Sequence, residues 1–163
     1  MWIGAEIGFE PHMIDVLRKH NLPIVCGLYP NLATRDLACR LLPDTRQVNF
    51  GVTGGLLEIR YAAGGFLYTR RQVYLDIRAK ERLPLCDAPL RPVLPYFMPL
   101  VVQEHDCHWY LPDTYAFCER ARRSGYPILA DTTLRLQHLG CYGHSWEEAG
   151  GGVERYESYR LNL

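Results

Sequence analysis

Imidazole and thiol side chains occur close together between residues 105 and 118. His105, Cys107, His108 and Cys118 are of the two residue types that bind zinc most readily. Their spacing matches neither a Cys-x-x-Cys pair nor a His-x-x-x-His pair, which are common arrangements of zinc ligands. All six cysteines are scattered along the chain, and several fall inside apolar runs. We therefore expect free thiols and no zinc site.

Aromatic residues are frequent from residue 109 onward. The candidates for a stacking platform are Trp109, Tyr110, Tyr142, Trp146, Tyr156 and Tyr159. Such rings can pack against the C–H face of a sugar, and the same rings are also ordinary core or subunit-contact residues. We expect most of them in the core and select Trp109 and Trp146 as the two that contact a ligand.

The elements that position these residues alternate between strands and helices. Apolar runs predict strands at 1–3, 23–29, 56–61, 66–69, 128–130 and 134–136. Apolar residues at helical spacing predict helices at 11–20, 70–80 and 113–124. In the last helix we expect Arg120 to face solvent and Phe117 to face the core. For residues 31–52 we expect a lid or loop excursion with a short helix at 34–42, and the prolines from Pro84 to Pro99 predict an irregular wrapped loop.

This order of elements predicts an α/β fold with a mixed sheet and flanking helices. With 163 residues, of which 48% are hydrophobic and 22% charged, the chain has the size of one globular domain. We expect a single domain over residues 1–163, with 140–163 as an extended C-terminal tail.

Three segments carry a pattern that points beyond the fold class. The first runs from Trp2 to Pro11 and contains Gly4-Ala5-Glu6; the second contains Gly64-Gly65-Phe66; the third runs from Asp113 to Ala121 and is followed by His138-Leu139-Gly140. In this order and at these separations, the segments are similar to the GT-A glycosyltransferases, which use nucleotide-sugar donors.

The resemblance implies a catalytic site with a divalent cation, Mn²⁺ or Mg²⁺. Glu6 and His138 fall on the positions that hold this cation in the family, and Asp113 lies at the helix start that supplies the catalytic base. The resemblance further implies that Gly64 and Gly65 line the ligand site. The cation would neutralise the diphosphate leaving group, and the base would take a proton from the acceptor hydroxyl.

The sequence departs from the family pattern at two positions. Gly4 stands where the first acid of the Asp-x-Asp motif would be, and Glu6 replaces the second. At the helix start, Thr114 occupies the base position, so Asp113 is the remaining candidate, because a threonine hydroxyl does not accept a proton near neutral pH. Purely structural alternatives stay open: Glu6 as a solvated residue, His138 as a hydrogen-bonded histidine, and Asp113 as an N-cap. For Gly64 and Gly65 the alternative, which we favour slightly, is a bulge between two strands.

The resemblance begins at the strand that carries the Asp-x-Asp motif. Family members place their nucleotide-binding strands and helices before that strand, and we therefore expect a truncated GT-A-like fold in which the nucleotide-binding half is missing. The first strand would then lie at a sheet edge with an apolar face, which favours a homo-oligomer or a partner chain.

Charge and hydropathy limit the other partners. Lys+Arg and Asp+Glu both number 18, so no basic field favours nucleic acid. No apolar stretch is long enough to span a bilayer, and no signal peptide precedes the first strand, so we expect a cytoplasmic protein.

Two functions remain open on this sequence. The first is metal-assisted transfer of a sugar from a nucleotide-sugar donor to an unknown acceptor, either a sugar or a lipid-linked acceptor. The second is a non-catalytic, dimeric interaction module that is derived from a glycosyltransferase scaffold.

Overall fold

The computed structural model describes residues 1–87, 89–140, 143–146, 158 and 160–162. Its helices are α1 (His12–Lys19), α2 (Arg71–Glu81) and α3 (Asp113–Arg123). Its strands are β1 (Trp2–Ile3), β2 (Ile7–Gly8), β3 (Ile24–Gly27), β4 (Cys39–Leu41), β5 (Gln47–Asn49), β6 (Leu56–Ala62), β7 (Phe66–Thr69), β8 (Leu100–Glu104), β9 (Cys107–Leu111), β10 (Ile128–Asp131), β11 (Gln137–Leu139), β12 (Gly143–His144) and β13 (Arg160–Asn162).

A six-stranded mixed sheet forms the centre of the protein. Its strand order is β1-β7-β3-β10-β6-β4, with β3 and β10 parallel and the remaining pairs antiparallel. The predicted α/β fold with a mixed sheet is therefore confirmed. The first strand lies at one edge, where Trp2 and Ile3 are 49% and 41% exposed.

Helices cover both faces of this sheet because side chains alternate along its strands. In β3, Ile24 and Cys26 pack into the cluster that holds the buried side of α2 and α3, whereas Val25 packs with α1. The second cluster also contains Leu17 of α1 and Phe66 of β7. The sheet thus lies between α1 on one face and the α2–α3 pair on the other.

The three helices end where the sequence indicates. Pro11 precedes α1, whose first turn carries Asp15 and whose last turn carries Lys19, an arrangement that suits the helix dipole. At the end of α2, Arg82 adopts a left-handed conformation and its N–H bonds the carbonyl of Arg78. The predicted helices at 11–20, 70–80 and 113–124 are confirmed to within about one residue at either end.

Three predictions for the local structure were wrong. The segment 34–42 contains strand β4 instead of a helix, because Cys39 and Arg40 pair with β6. The strand predicted at 134–136 is formed three residues later, where β11 pairs with β2. Arg120 is only 3% exposed, since its guanidinium donates to backbone carbonyls instead of facing solvent.

The wrapped proline segment leads into a hairpin that the sequence did not predict. Strands β8 and β9 pair antiparallel from Leu100 opposite Leu111 to Glu104 opposite Cys107. An ion pair between Arg60 and Glu104 connects the hairpin to the main sheet.

Most of the tail at 140–163 lies outside the described residues. Within the part of the chain that is described, no helix is long and apolar enough to cross a membrane.

Candidate functional site

Glu6 and His138 lie on neighbouring segments although they are far apart in sequence. Strand β2 begins immediately after Glu6 and pairs with β11, in which His138 stands opposite Ile7. The carbonyl of Glu6 accepts a hydrogen bond of 2.8 Å from the backbone N–H of Leu139. The fold therefore places the backbones of the two residues that the resemblance selected on paired segments.

The imidazole of His138 is held in a defined orientation. Its Nδ1 lies 2.8 Å from the carbonyl oxygen of Pro30, and the ring makes an edge contact with Tyr29 at a centroid distance of 5.2 Å. A carbonyl oxygen can only accept, so Nδ1 carries the proton. In the neutral ring Nε2 then has its lone pair available, and this is the tautomer in which histidine binds a metal ion.

The carboxylate of Glu6 lies over Gly4. A Cβ atom added at Gly4 would lie 3.0 Å from Glu6 Oε1, so a side chain at this position would crowd the carboxylate. The N–H of Gly4 donates to the carbonyl of Gly65 at 2.8 Å, which joins this turn to the start of β7. The glycine that replaces the expected acid thus provides the space in which Glu6 is accommodated.

Tyr29 connects His138 to the glycine pair. Its hydroxyl accepts a hydrogen bond of 2.9 Å from the N–H of Gly65. Burial raises the pKa of Tyr29 to about 12, although the bond from Gly65 acts in the opposite direction. A Cβ atom at Gly65 would lie 2.2 Å from the Tyr29 hydroxyl oxygen, so a larger residue does not fit without movement.

The second glycine faces the start of α3. A Cβ atom at Gly64 would lie 2.6 Å from Cγ2 of Thr114. Asp113 is the first residue of this helix and follows the N-cap position, which Pro112 occupies. Its Oδ1 accepts the N–H of Thr114 at 2.6 Å, whereas Oδ2 takes no hydrogen bond from the described residues. Both glycines therefore permit close contacts, one with Tyr29 and the other with Thr114.

A pocket of about 190 Å³ lies at this junction and is lined by Trp2, Gly64, Phe97, Asp113 and Thr114. Trp2 and Phe97 were missed at the sequence level. Trp2 could have been found, because it lies two residues before the acid motif. Phe97 belongs to the irregular proline segment, and no periodic pattern indicates where its side chain points.

The two tryptophans selected from the sequence are not among the residues that line this pocket. Trp146 is fully buried, stacks on Phe50 at 5.1 Å, and has the guanidinium of Arg135 4.6 Å from its ring centroid. Trp109 lies on the exposed hairpin with the guanidinium of Arg40 4.4 Å from its ring centroid. The structure thus assigns Trp146 to the core and Trp109 to the hairpin.

The four residues considered for zinc differ in their exposure to solvent. Cys118 is buried in α3 and its thiol contacts the backbone of Ala62, whereas His105, Cys107 and His108 are exposed in the hairpin. Among the described residues, no group of three or more His, Cys, Asp or Glu side chains could hold a metal ion. The five described cysteines are free thiols, as expected.

Comparison with known proteins does not assign the chain to a family. No protein-family model matches the sequence, and no curated protein is significantly similar to it.

Proposed function

We propose that the protein binds a nucleoside diphosphate-sugar through a divalent cation and is a glycosyltransferase, or a descendant of one, with a GT-A-like fold. The observation that carries the proposal is the pairing of β2 with β11, which places the backbone of Glu6 beside that of Leu139, the residue next to His138. The tautomer of His138, in which Nε2 can bind a cation, supports it further.

Glu6 and His138 would suit a cation that is also bound by the diphosphate of the substrate. Mg²⁺ is commonly bound through one or two carboxylates, with substrate phosphates and water completing its coordination, so a site with few protein ligands is not unusual. Glu6 and His138 would hold the cation, which would neutralise the charge that develops on the diphosphate as the sugar leaves.

Asp113 is the carboxylate among the residues that line the pocket beside Gly64. Its Oδ2 takes no hydrogen bond from the described residues. In the proposed reaction Asp113 accepts the proton of the acceptor hydroxyl as that oxygen attacks the anomeric carbon. Thr114 contributes a hydroxyl that can orient the acceptor but not deprotonate it.

The proposal is tested by thermal unfolding with and without Mn²⁺ and with uridine, guanosine or cytidine diphosphate. A ligand present at ten times its dissociation constant stabilises the native state by about 1.4 kcal/mol. For a protein of this size, that corresponds to a rise in Tm of roughly 3–6 °C. We expect such a rise with at least one nucleotide, and only when Mn²⁺ is present.

Matched variants identify the residues responsible. Glu6→Gln and His138→Gln should each abolish most of the rise in Tm. Glu10→Gln and His12→Gln change the same residue types at exposed positions nearby and should retain it. If no nucleotide raises Tm, or if the Glu10 and His12 variants lose the effect equally, the donor site does not exist.

A second candidate function is a non-catalytic, dimeric interaction module. It is favoured by the exposed apolar side chains of β1 at the sheet edge, because such an edge can pair with a further strand. Sedimentation equilibrium tests it: a dimer that Ile3→Lys converts to a monomer, together with no response to nucleotides, would favour the module over the enzyme.

A further inference from the structure

The pocket between Trp2 and the start of α3 differs in character from the Glu6–His138 region. The residues that line it include two with aromatic side chains, Trp2 and Phe97, and two with polar side chains, Asp113 and Thr114. Its volume of about 190 Å³ is below the roughly 300–1,000 Å³ of pockets that enclose drug-sized ligands. It therefore suits one ring and not a complete nucleotide-sugar.

The aromatic part of the lining is held in place by specific contacts. The indole N–H of Trp2 donates to the hydroxyl of Tyr74 at 2.7 Å, and the Trp2 ring meets Phe97 edge to face at 5.2 Å. Phe97 in turn stacks on Phe117 of α3 at 4.9 Å. Trp2 is nevertheless 49% exposed, so part of its surface remains open to a ligand.

Arg120 fixes the backbone on both sides of Phe97. Its guanidinium donates to the carbonyl of Tyr96 at 3.2 Å and to that of Met98 at 2.6 Å, and the side chain is almost fully buried. A ring positioned in this way loses little conformational freedom when a ligand binds. The irregular proline segment therefore presents Phe97 as a fixed surface.

We infer that this pocket binds the pyranose ring of a carbohydrate acceptor. A pyranose ring has an apolar C–H surface, which suits Trp2 and Phe97, and hydroxyl groups, which Asp113 Oδ2 and Thr114 can bind. The assignment rests on the proposed function, because it treats Asp113 as the group that meets the acceptor hydroxyl. It narrows the acceptor to a sugar.

The test is saturation-transfer difference NMR without nucleotide and in the presence of EDTA. The probes are the methyl glycosides of β-D-glucose, β-D-galactose and α-D-mannose. Sorbitol, which has hydroxyls but no ring, and cyclohexanol, which has a ring but one hydroxyl, serve as comparison ligands. We expect at least one glycoside to bind at least fivefold more tightly than both, with the strongest transfer to its ring C–H protons.

Variants locate the binding site. Trp2→Ala should weaken glycoside binding roughly five- to tenfold, the effect of losing one aromatic contact, and Asp113→Asn should weaken it at least threefold. Tyr110→Ala removes an exposed aromatic ring from the hairpin and should leave binding within twofold of the original. If Trp2→Ala lowers Tm markedly, Trp2→Phe replaces it and should still weaken binding at least twofold.

Each outcome decides the assignment. Binding of cyclohexanol or sorbitol that equals the best glycoside overturns it, as does an equal loss in Tyr110→Ala. Because no metal or nucleotide is present, the result is separate from that for the proposed function. Glycoside binding without any nucleotide response would support the sugar pocket alone, and the reverse result would support the donor site alone.

Discussion

Replacement of Gly65 by alanine probes the contact that joins the glycine pair to His138. The added Cβ would lie 2.2 Å from the hydroxyl oxygen of Tyr29, 2.6 Å from its Cζ and 3.0 Å from Cγ1 of Ile7. The backbone at Gly65 lies outside the left-handed region, so the substitution acts through space alone. Tyr29 is buried and its ring packs against His138, so it has little freedom to move aside.

The cost of the Gly65→Ala change follows from these contacts. Overpacking of a tight core costs about 1–3 kcal/mol, and displacement of Tyr29 would also weaken the hydrogen bond from the Gly65 N–H, worth roughly 0.5–1.5 kcal/mol. We therefore expect a loss of about 2–4 kcal/mol in the free energy of unfolding. With an m-value near 2 kcal/mol/M, the urea midpoint should fall by about 1–2 M.

Urea unfolding of four variants checks the Gly65 prediction. Gly55→Ala is the matched control, because no atom lies within 4 Å of a Cβ added there, and its midpoint should change little or rise. Tyr29→Phe removes the nearest atom, so the double variant Gly65→Ala/Tyr29→Phe should be more stable than the sum of the single effects by about 1 kcal/mol. Equal midpoints for Gly65→Ala and Gly55→Ala, or strict additivity, would refute the steric reasoning.

Three further predictions concern buried groups. His20→Ala should lower the free energy of unfolding by about 1–3 kcal/mol, because Nε2 of His20 lies 2.7 Å from Oδ2 of Asp131, which is 2% exposed; a change below about 0.5 kcal/mol in urea unfolding would contradict this. Burial raises the pKa of Tyr29 to about 12, so its stabilising contribution is present below about pH 10 and is lost as the pH rises through 12. Unfolding measured from pH 9 to pH 12 should therefore lose stability less steeply in Tyr29→Phe, and identical slopes would exclude this origin. Burial also raises the pKa of the Cys118 thiol to about 12, whereas Cys107 is exposed. In thiol titration of the native protein, Cys107→Ser should remove a fast-reacting group and Cys118→Ser should not; the opposite pattern would show that the hairpin thiol is protected.

The sequence predicted the main helices because their apolar residues repeat at helical spacing. Val73 and Ile77 of α2, and Phe117 and Ala121 of α3, lie on the buried side as that spacing requires. Arg120 was the exception. Arg120 is buried because its guanidinium donates to two backbone carbonyls in the proline segment. Since that segment has no periodic structure, the sequence near Arg120 gives no sign of this contact.

The candidate site was predicted in part. Glu6, Asp113 and the glycine pair were selected by their resemblance to a pattern, and their neighbourhood in space required the pairing of β2 with β11 and the packing of Gly64 against Thr114. Phe97 could not be selected at all. Trp146 was selected for its residue type, but its burial against Phe50 depends on segments remote in sequence.

From the sequence alone one can recognise the acids and glycines of the site and the helices beside them. The three helices, the glycine positions and the acid at the start of α3 can be read from neighbouring residues, because propensity and periodicity are local properties. The tertiary structure was needed to show that β2 pairs with β11, that His138 donates through Nδ1 to Pro30, and that Trp2 and Phe97 line one pocket. These contacts join residues far apart in sequence, and their free energy depends on packing that no local pattern records.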